Sequence, residues 1–166
     1  MNTEAKFSPE ALQIAQRMIS QYPEGRQKSA ILPIMHLAQA ENKGWLSVEW
    51  MDYVASLLDI QPIEVYEVAT FYTMFNLKPV GKWVLEVCRT GPCQLRGSDE
   101  LIAYFEQKLG VQVGGTSEDG MFTLKTVECL ASCGTAPVVQ VYEEFHEEIT
   151  VDKAETFLDS LRNRPR

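Results

Sequence analysis

A chain of 166 residues, 45% hydrophobic and 23% charged, has room for one ordinary domain or two small ones and enough apolar surface to bury a core. Its formal net charge of −8 speaks against a nucleic-acid binder, which carries a basic face. No apolar run approaches the roughly 18 residues that cross a bilayer, and Met1-Asn2-Thr3-Glu4-Ala5-Lys6 has neither an apolar signal core nor an arginine-rich presequence, so a soluble, non-exported chain is expected.

Ser8-Pro9-Glu10 is a helix start: a capping hydroxyl, then proline in the first turn. Leu12, Ala15, Met18, Ile19 and Tyr22 follow at helical spacing, and Pro23-Glu24-Gly25 ends the helix. A second helix is expected from about Ser29, with Pro33 tolerated early, Ile31, Ile34, Met35 and Ala38 on its apolar side, and Gly44 just past its end. Ser47 can cap a third, with Val48, Met51, Val54, Ala55 and Leu58 facing inward. Gln61-Pro62 opens a fourth, running through Val65, Tyr66 and Val68 towards Phe71. Short joins make these a small bundle. A DNA-binding helix-turn-helix around Asp59-Pro62 is disfavoured, because neither flanking helix has a basic face. Phe71-Tyr72-Thr73-Met74-Phe75 either packs the bundle or offers a docking surface. Asn76-Leu77-Lys78-Pro79-Val80-Gly81 reads as a linker, which divides the chain into a helical, partner-docking domain at 1–75 and a second domain at 76–166.

In the second domain Trp83, Leu85 and Val87 alternate with Val84 and Glu86, a strand leading into Cys88. Ser98 can cap a helix carrying Leu101, Ile102, Tyr104, Phe105 and Leu109, closed by Gly110. Gly114-Gly115 and Glu118-Asp119-Gly120 are turns, and their spacing matches no nucleotide-binding fingerprint. Phe122, Leu124 and Thr126 mark a second strand, leading into Cys129. Pro137 to Val141 is a third, and a fourth ends near Ile149 after the acidic turn at Glu143-Glu144. Thr150 caps a last helix through Ala154, Phe157, Leu158 and Leu161. The expected fold class is α/β, a helical bundle followed by a mixed four-stranded sheet with helices packed on it. If the two cysteine-bearing strands are parallel neighbours, both cysteine loops leave the sheet at one edge and converge.

The chain has four cysteines, in two pairs: Cys88 and Cys93 with four residues between them, Cys129 and Cys133 with three. In a non-exported chain, paired cysteines point to metal or redox chemistry rather than structural disulfides. A zinc site also takes four thiolates, though usually as C-x2-C knuckles. A dithiol–disulfide catalyst uses C-x-x-C, which is absent here. A [2Fe–2S] cluster accepts these wider spacings, one iron to each pair, and is the favoured reading, with the other two left open. Gly91-Pro92 and Gly134 are expected to let backbone amides approach sulfur, and Arg89 and Arg96 to offset negative charge if they face the cluster. His36 lies within a helix and His146 in an acidic turn, so neither is expected to be a ligand. No independent catalytic constellation stands out.

The stretches Val87-Cys88-Arg89-Thr90-Gly91-Pro92-Cys93-Gln94-Leu95-Arg96 and Val127-Glu128-Cys129-Leu130-Ala131-Ser132-Cys133-Gly134-Thr135-Ala136-Pro137 resemble the cluster loops of the thioredoxin-like [2Fe–2S] subunit of respiratory NADH:quinone oxidoreductase (complex I). Tyr22-Pro23-Glu24-Gly25-Arg26, Gly44-Trp45-Leu46, Val65 to Phe75 and Lys78-Pro79-Val80-Gly81-Lys82 extend the likeness over nearly the whole chain. The resemblance implies a thioredoxin-like second domain, with Cys88, Cys93, Cys129 and Cys133 as ligands of one [2Fe–2S] cluster. It also implies a partner subunit that binds NADH and FMN, single-electron exchange with that flavin, and a peripheral place on the cytoplasmic side of a bacterial inner membrane, or the matrix side in mitochondria. The equivalent subunit of a soluble NAD-linked formate dehydrogenase or hydrogenase shares the same pair of domains, and a zinc-held scaffold is the non-redox alternative. Two departures stand out. The family's second loop reads Cys-Leu-Gly-Ala-Cys, so Ala131 argues against a left-handed backbone there and the Ser132 hydroxyl is expected to add a donor near sulfur. Tyr142-Glu143-Glu144 replaces the usual Asn/Asp turn, which leaves the hairpin type open.

Overall fold

The computed structural model describes residues 5–165. The first residues of the segment read for targeting signals, 1–4, lie outside them. The chain divides into two compact units between Pro79 and Val80.

In the first unit, helix α1 (Pro9–Ser20) begins where the Ser8 hydroxyl accepts the Ala11 amide at 3.2 Å. A 3-10 turn (Gln27–Ala30) leads into α2 (Ile31–Glu41), so the α-helix starts later than Ser29. Helix α3 (Val48–Leu58) is capped by Ser47, and α4 (Pro62–Phe71) by a reciprocal box in which the Gln61 side chain meets the Glu64 backbone and Glu64 accepts the Gln61 amide at 2.9 Å. Ile34, Met35, Ala38, Val54, Ala55, Leu58 and Val65 form the centre of the core. Val48, expected inward, is exposed. Trp50 takes the buried place instead, because the apolar stripe of α3 runs through Trp50, Met51, Val54, Ala55 and Leu58 and leaves Val48 to one side. The aromatic stretch after α4 splits: Phe75 is buried, its ring 5.0 Å from that of His36, while Phe71 is 77% exposed and Tyr72 and Met74 also face solvent. No helix among the described residues is long and apolar enough to cross a membrane.

The second unit runs β1 (Trp83–Cys88), α5 (Gly91–Leu95), α6 (Ser98–Leu109), β2 (Phe122–Val127), a 3-10 turn (Cys133–Thr135), β3 (Val139–Val141), β4 (Glu144–His146) and α7 (Val151–Arg162). The sheet order is β2-β1-β3-β4, with β1 parallel to β2 and both other pairings antiparallel. This is the mixed four-stranded sheet and α/β class read from the sequence. Leu101 and Phe105 of α6 and Ala154, Phe157, Leu158 and Leu161 of α7 pack with Leu85, Val87, Phe122 and Leu124 of the sheet.

Four local features differ from expectation. Helix α5 interrupts the first cysteine loop, with Pro92 in its first turn. Gly97, at φ 96°, precedes α6, and Ser98 is its first helical residue, fully buried, rather than an exposed cap. Strand β3 starts only at Val139, since Pro137 has no N–H for a ladder. Strand β4 ends at His146, because the chain turns through Glu148 at φ 51° towards the second cysteine loop. The β3–β4 hairpin turns on Tyr142 at φ 55°, a conformation unfavourable for tyrosine. Its ring packs 5.8 Å from Trp83 and its hydroxyl donates to the Lys82 carbonyl, contacts that hold it there.

Candidate metal centre

Strands β1 and β2 run side by side in the same direction, with Cys88 opposite Val127. The loops that follow them therefore leave the same end of the sheet. The Cys88 amide donates to Val138 at 3.1 Å and the Arg89 amide to Val127 at 3.1 Å, which ties the first loop to both neighbouring chain segments. Cys88 ends β1, and Cys93 is carried back beside it on the short helix α5. Both are buried, against Ala136, Val138 and Leu130. Cys129 and Cys133, on the second loop, are exposed.

The thiols interact within and between the pairs. Cys88 and Cys93 influence each other's ionisation, as Cys129 does that of Cys133, and Cys133 lies near enough to Cys88 and to Cys93 to sense their charge. Burial opposes ionisation of Cys88. The Thr90 hydroxyl, 3.4 Å from its sulfur, together with the Thr90 and Leu130 amides and the Cys93 thiol, outweighs burial and holds it below the usual thiol value. Burial, then the hydrogen bond and charge of Cys88, pushes Cys93 up to about 11. Burial, then the Cys129 charge, raises Cys133. The Ala131 amide donates to Cys129 Sγ at 3.3 Å. The structure thus places the four predicted thiols as two pairs at one end of the sheet, and among the described residues no group of three or more His, Cys, Asp or Glu is placed to hold a metal ion.

Several details of this site correct the sequence reading. Ala131 does adopt the left-handed region, at φ 59°, although its Cβ makes that costly. The Ser132 hydroxyl turns away from sulfur to Glu147 and Thr135. Neither Gly91 nor Gly134 has a left-handed φ or a neighbour that a Cβ would meet, so neither position demands glycine. Arg89, expected to offset negative charge if it faces the site, is paired with Glu128. His146 is not a solvated turn residue but lies half-buried on β4, its ring 4.9 Å from Phe157. Thr90 and Glu147 were missed. A hydroxyl two positions after a ligand-type cysteine is a weak local signal for the first; nothing local marks the second, which reaches its loop from the segment just after β4.

Residues 15–162 match the family model for thioredoxin-like [2Fe-2S] ferredoxins. An NADH-quinone oxidoreductase subunit of Rickettsia conorii is 48% identical over 161 residues, covering 97% of this chain and 96% of that one. The mitochondrial NADH dehydrogenase [ubiquinone] flavoprotein 2 of Dictyostelium discoideum is 41% identical over 162 residues, covering 98% of this chain and 66% of that one. Among solved structures, an air-oxidized NAD+-reducing [NiFe]-hydrogenase shares the fold with a TM-score of 0.69 at 14% identity, over 80% of this chain and 22% of that one. The chain belongs to the thioredoxin-like [2Fe–2S] ferredoxin family, in the branch that supplies a subunit to NADH-quinone oxidoreductase.

Proposed function

We propose that Cys88, Cys93, Cys129 and Cys133 hold one [2Fe–2S] cluster, one pair to each iron, and that the chain exchanges single electrons with the FMN of an NADH-binding partner subunit of NADH:quinone oxidoreductase. The observation that carries this reading is the parallel β1–β2 pairing, which delivers both cysteine loops to one end of the sheet. The donor set fits the group: four sulfurs in two mutually interacting pairs, with backbone amides directed at Cys88, Cys93 and Cys129. Bound there, the cluster would supply reversible one-electron storage. The residues around it set how readily an electron is held. Amide and hydroxyl donors offset thiolate charge and favour the reduced state, while the acidic chain opposes it. The apolar pocket of Ala136, Val138 and Leu130 excludes water from Cys88 and Cys93, and the second pair faces outward, where a partner can approach. The near-full-length likeness to the Rickettsia protein favours the quinone-linked complex, where the chain would be a peripheral component on the cytoplasmic side of a bacterial membrane.

Anaerobic purification with iron, sulfide and zinc analysis tests the assignment. Iron and acid-labile sulfide in equal amounts, with a paramagnetic signal after one-electron reduction, are expected; stoichiometric zinc without sulfide would overturn it. Copurification with quinone-reductase subunits is the second expectation, and copurification with a nickel or molybdenum subunit would move the chain to a soluble hydrogenase or formate dehydrogenase instead.

A further inference from the structure

The two cysteine loops are anchored differently. Cys88 and Cys93 are buried and Cys93 is built into α5, whereas the Cys133–Thr135 turn has no buried residue and no side-chain cap. An exposed turn without apolar anchorage needs polar bonds to keep one shape. Those bonds come from the segment that follows β4. Ser132 Oγ donates to the Glu147 carboxylate and sits 2.9 Å from Thr135 Oγ1, so the carboxylate is linked through Ser132 to the Thr135 hydroxyl. The Glu148 amide donates to the Thr135 carbonyl at 2.7 Å, and the Ile149 amide to Pro137 at 3.1 Å. Glu148 holds φ 51°, a left-handed turn that brings this segment alongside the loop.

We propose that Glu147 is a positioning residue for the exposed cysteine pair, its carboxylate strapping the Cys129–Cys133 loop through Ser132 and Thr135 in the shape that retains the cluster. The proposal rests on the cluster assignment above. Glu147 touches neither sulfur nor any reacting atom; it acts through Ser132, next to Cys133. Outer-shell partners of this kind commonly change metal retention by about 10-fold or more when removed.

The test uses the full chain, purified anaerobically, with chelator-driven loss of visible absorbance, visible circular dichroism and the midpoint potential as readouts. Parent protein without iron and sulfide would sink the cluster assignment before any variant is compared. With a loaded parent, Glu147→Ala is expected to lose its cluster about 10-fold faster and to change the visible dichroism. Ser132→Ala is expected to have a smaller effect, and the double variant to be no faster than Glu147→Ala alone, as one shared network requires. Glu147→Gln keeps an acceptor and removes a charge, so it should hold the cluster near the parent rate while the midpoint rises. Glu147 is exposed and Ser132 half-buried, and neither lies in an apolar core, so the variants should fold. Parent-like loss and dichroism in Glu147→Ala, or loss rates that simply multiply in the double variant, would overturn the proposal.

Discussion

Arg89 reaches from the first cysteine loop to Glu128 on the second, its Nε and Nη2 donating to one carboxylate oxygen at 3.2 and 2.7 Å. Arg89 follows Cys88 directly and Glu128 precedes Cys129 directly, so the pair bridges the loops beside the candidate ligands. Both side chains are exposed, 55% and 74%, which keeps the bridge in high dielectric and its share of folding stability small. Its two charges stand one residue from Cys88 and Cys129, so each is expected to bias the charge a cluster there would hold. Arg89→Ala is expected to lower the midpoint potential and Glu128→Ala to raise it, with melting temperatures within about 3 °C of the parent. Added salt should shrink both shifts. A redox titration of the two variants checks this, and shifts of the same sign would contradict it.

Ala131 stands at φ 59° within the second cysteine loop, and its amide donates to Cys129 Sγ. An L side chain there costs about 1 kcal/mol that glycine avoids. Ala131→Gly is therefore expected to stabilise the protein by about that amount in urea unfolding while retaining iron. Ala131→Val places a β-branched residue where it hardly fits, so iron content should fall. An Ala131→Gly protein less stable than the parent would show that the loop is not held in this conformation.

Gly81 lies at the entrance to β1, where a Cβ would stand 2.9 Å from the Phe122 backbone. Its amide donates to Thr123 Oγ1 at 2.7 Å, and the next amide, of Lys82, to Gly120 at 3.0 Å. The close approach of the two backbones starts the parallel register that ends with Cys88 opposite Val127. Gly81→Ala should cost about 1–3 kcal/mol by forcing those backbones apart. Chemical denaturation measures this, and an unchanged midpoint would argue against the close packing.

His146 gives the stability a pH dependence. Burial lowers its pKa, Arg164 adds to that, and the nearby Glu144 opposes it; Nε2 is buried without a hydrogen-bond partner. The unfolded chain thus takes up this proton at a higher pH than the folded one. Above the ordinary histidine value of 6.5 neither state is protonated and the group contributes no slope. As pH falls below it, stability declines, and the decline levels off once the folded state protonates too. His146→Phe should flatten melting temperature between about pH 7 and pH 5. A separate, more acidic limb remains, because Glu144, held low by Arg164, and Glu155, held low by Lys108 and Tyr104, contribute stability above the ordinary carboxylate value and lose it as pH falls through their folded values. A variant with the parent's slope in the upper window would rule out His146 as its source.

Much of the fold was legible before the structure. Ser8-Pro9, Ser47 and Gln61-Pro62 mark helix starts through capping chemistry, Thr150 stands at the N-cap of α7 without a side-chain cap bond, and Ile31, Ile34, Met35 and Ala38 or Ala154, Phe157, Leu158 and Leu161 mark buried faces through periodicity. The misreadings cluster where one segment meets another. Val48 fits the periodicity of α3 but lies beside the buried stripe, and Ser98 has the chemistry of a cap but is buried behind Gly97. Ala131 has poor left-handed propensity yet is held there. Ser132 was expected near sulfur because the sequence shows only its cysteine neighbours, not Glu147 arriving from beyond β4.

By itself the sequence determined the helix caps, the apolar faces, and two closely spaced cysteine pairs each following a strand. All of these are written in residues within a few positions of one another, where helix and strand periods and thiol spacing operate. Only the tertiary structure decided that β1 and β2 lie parallel and adjacent, that Arg89 finds Glu128, and that Glu147 closes on Ser132. Those relations join residues far apart in the chain, and they exist only once packing of the sheet and its helices has chosen which distant segments become neighbours.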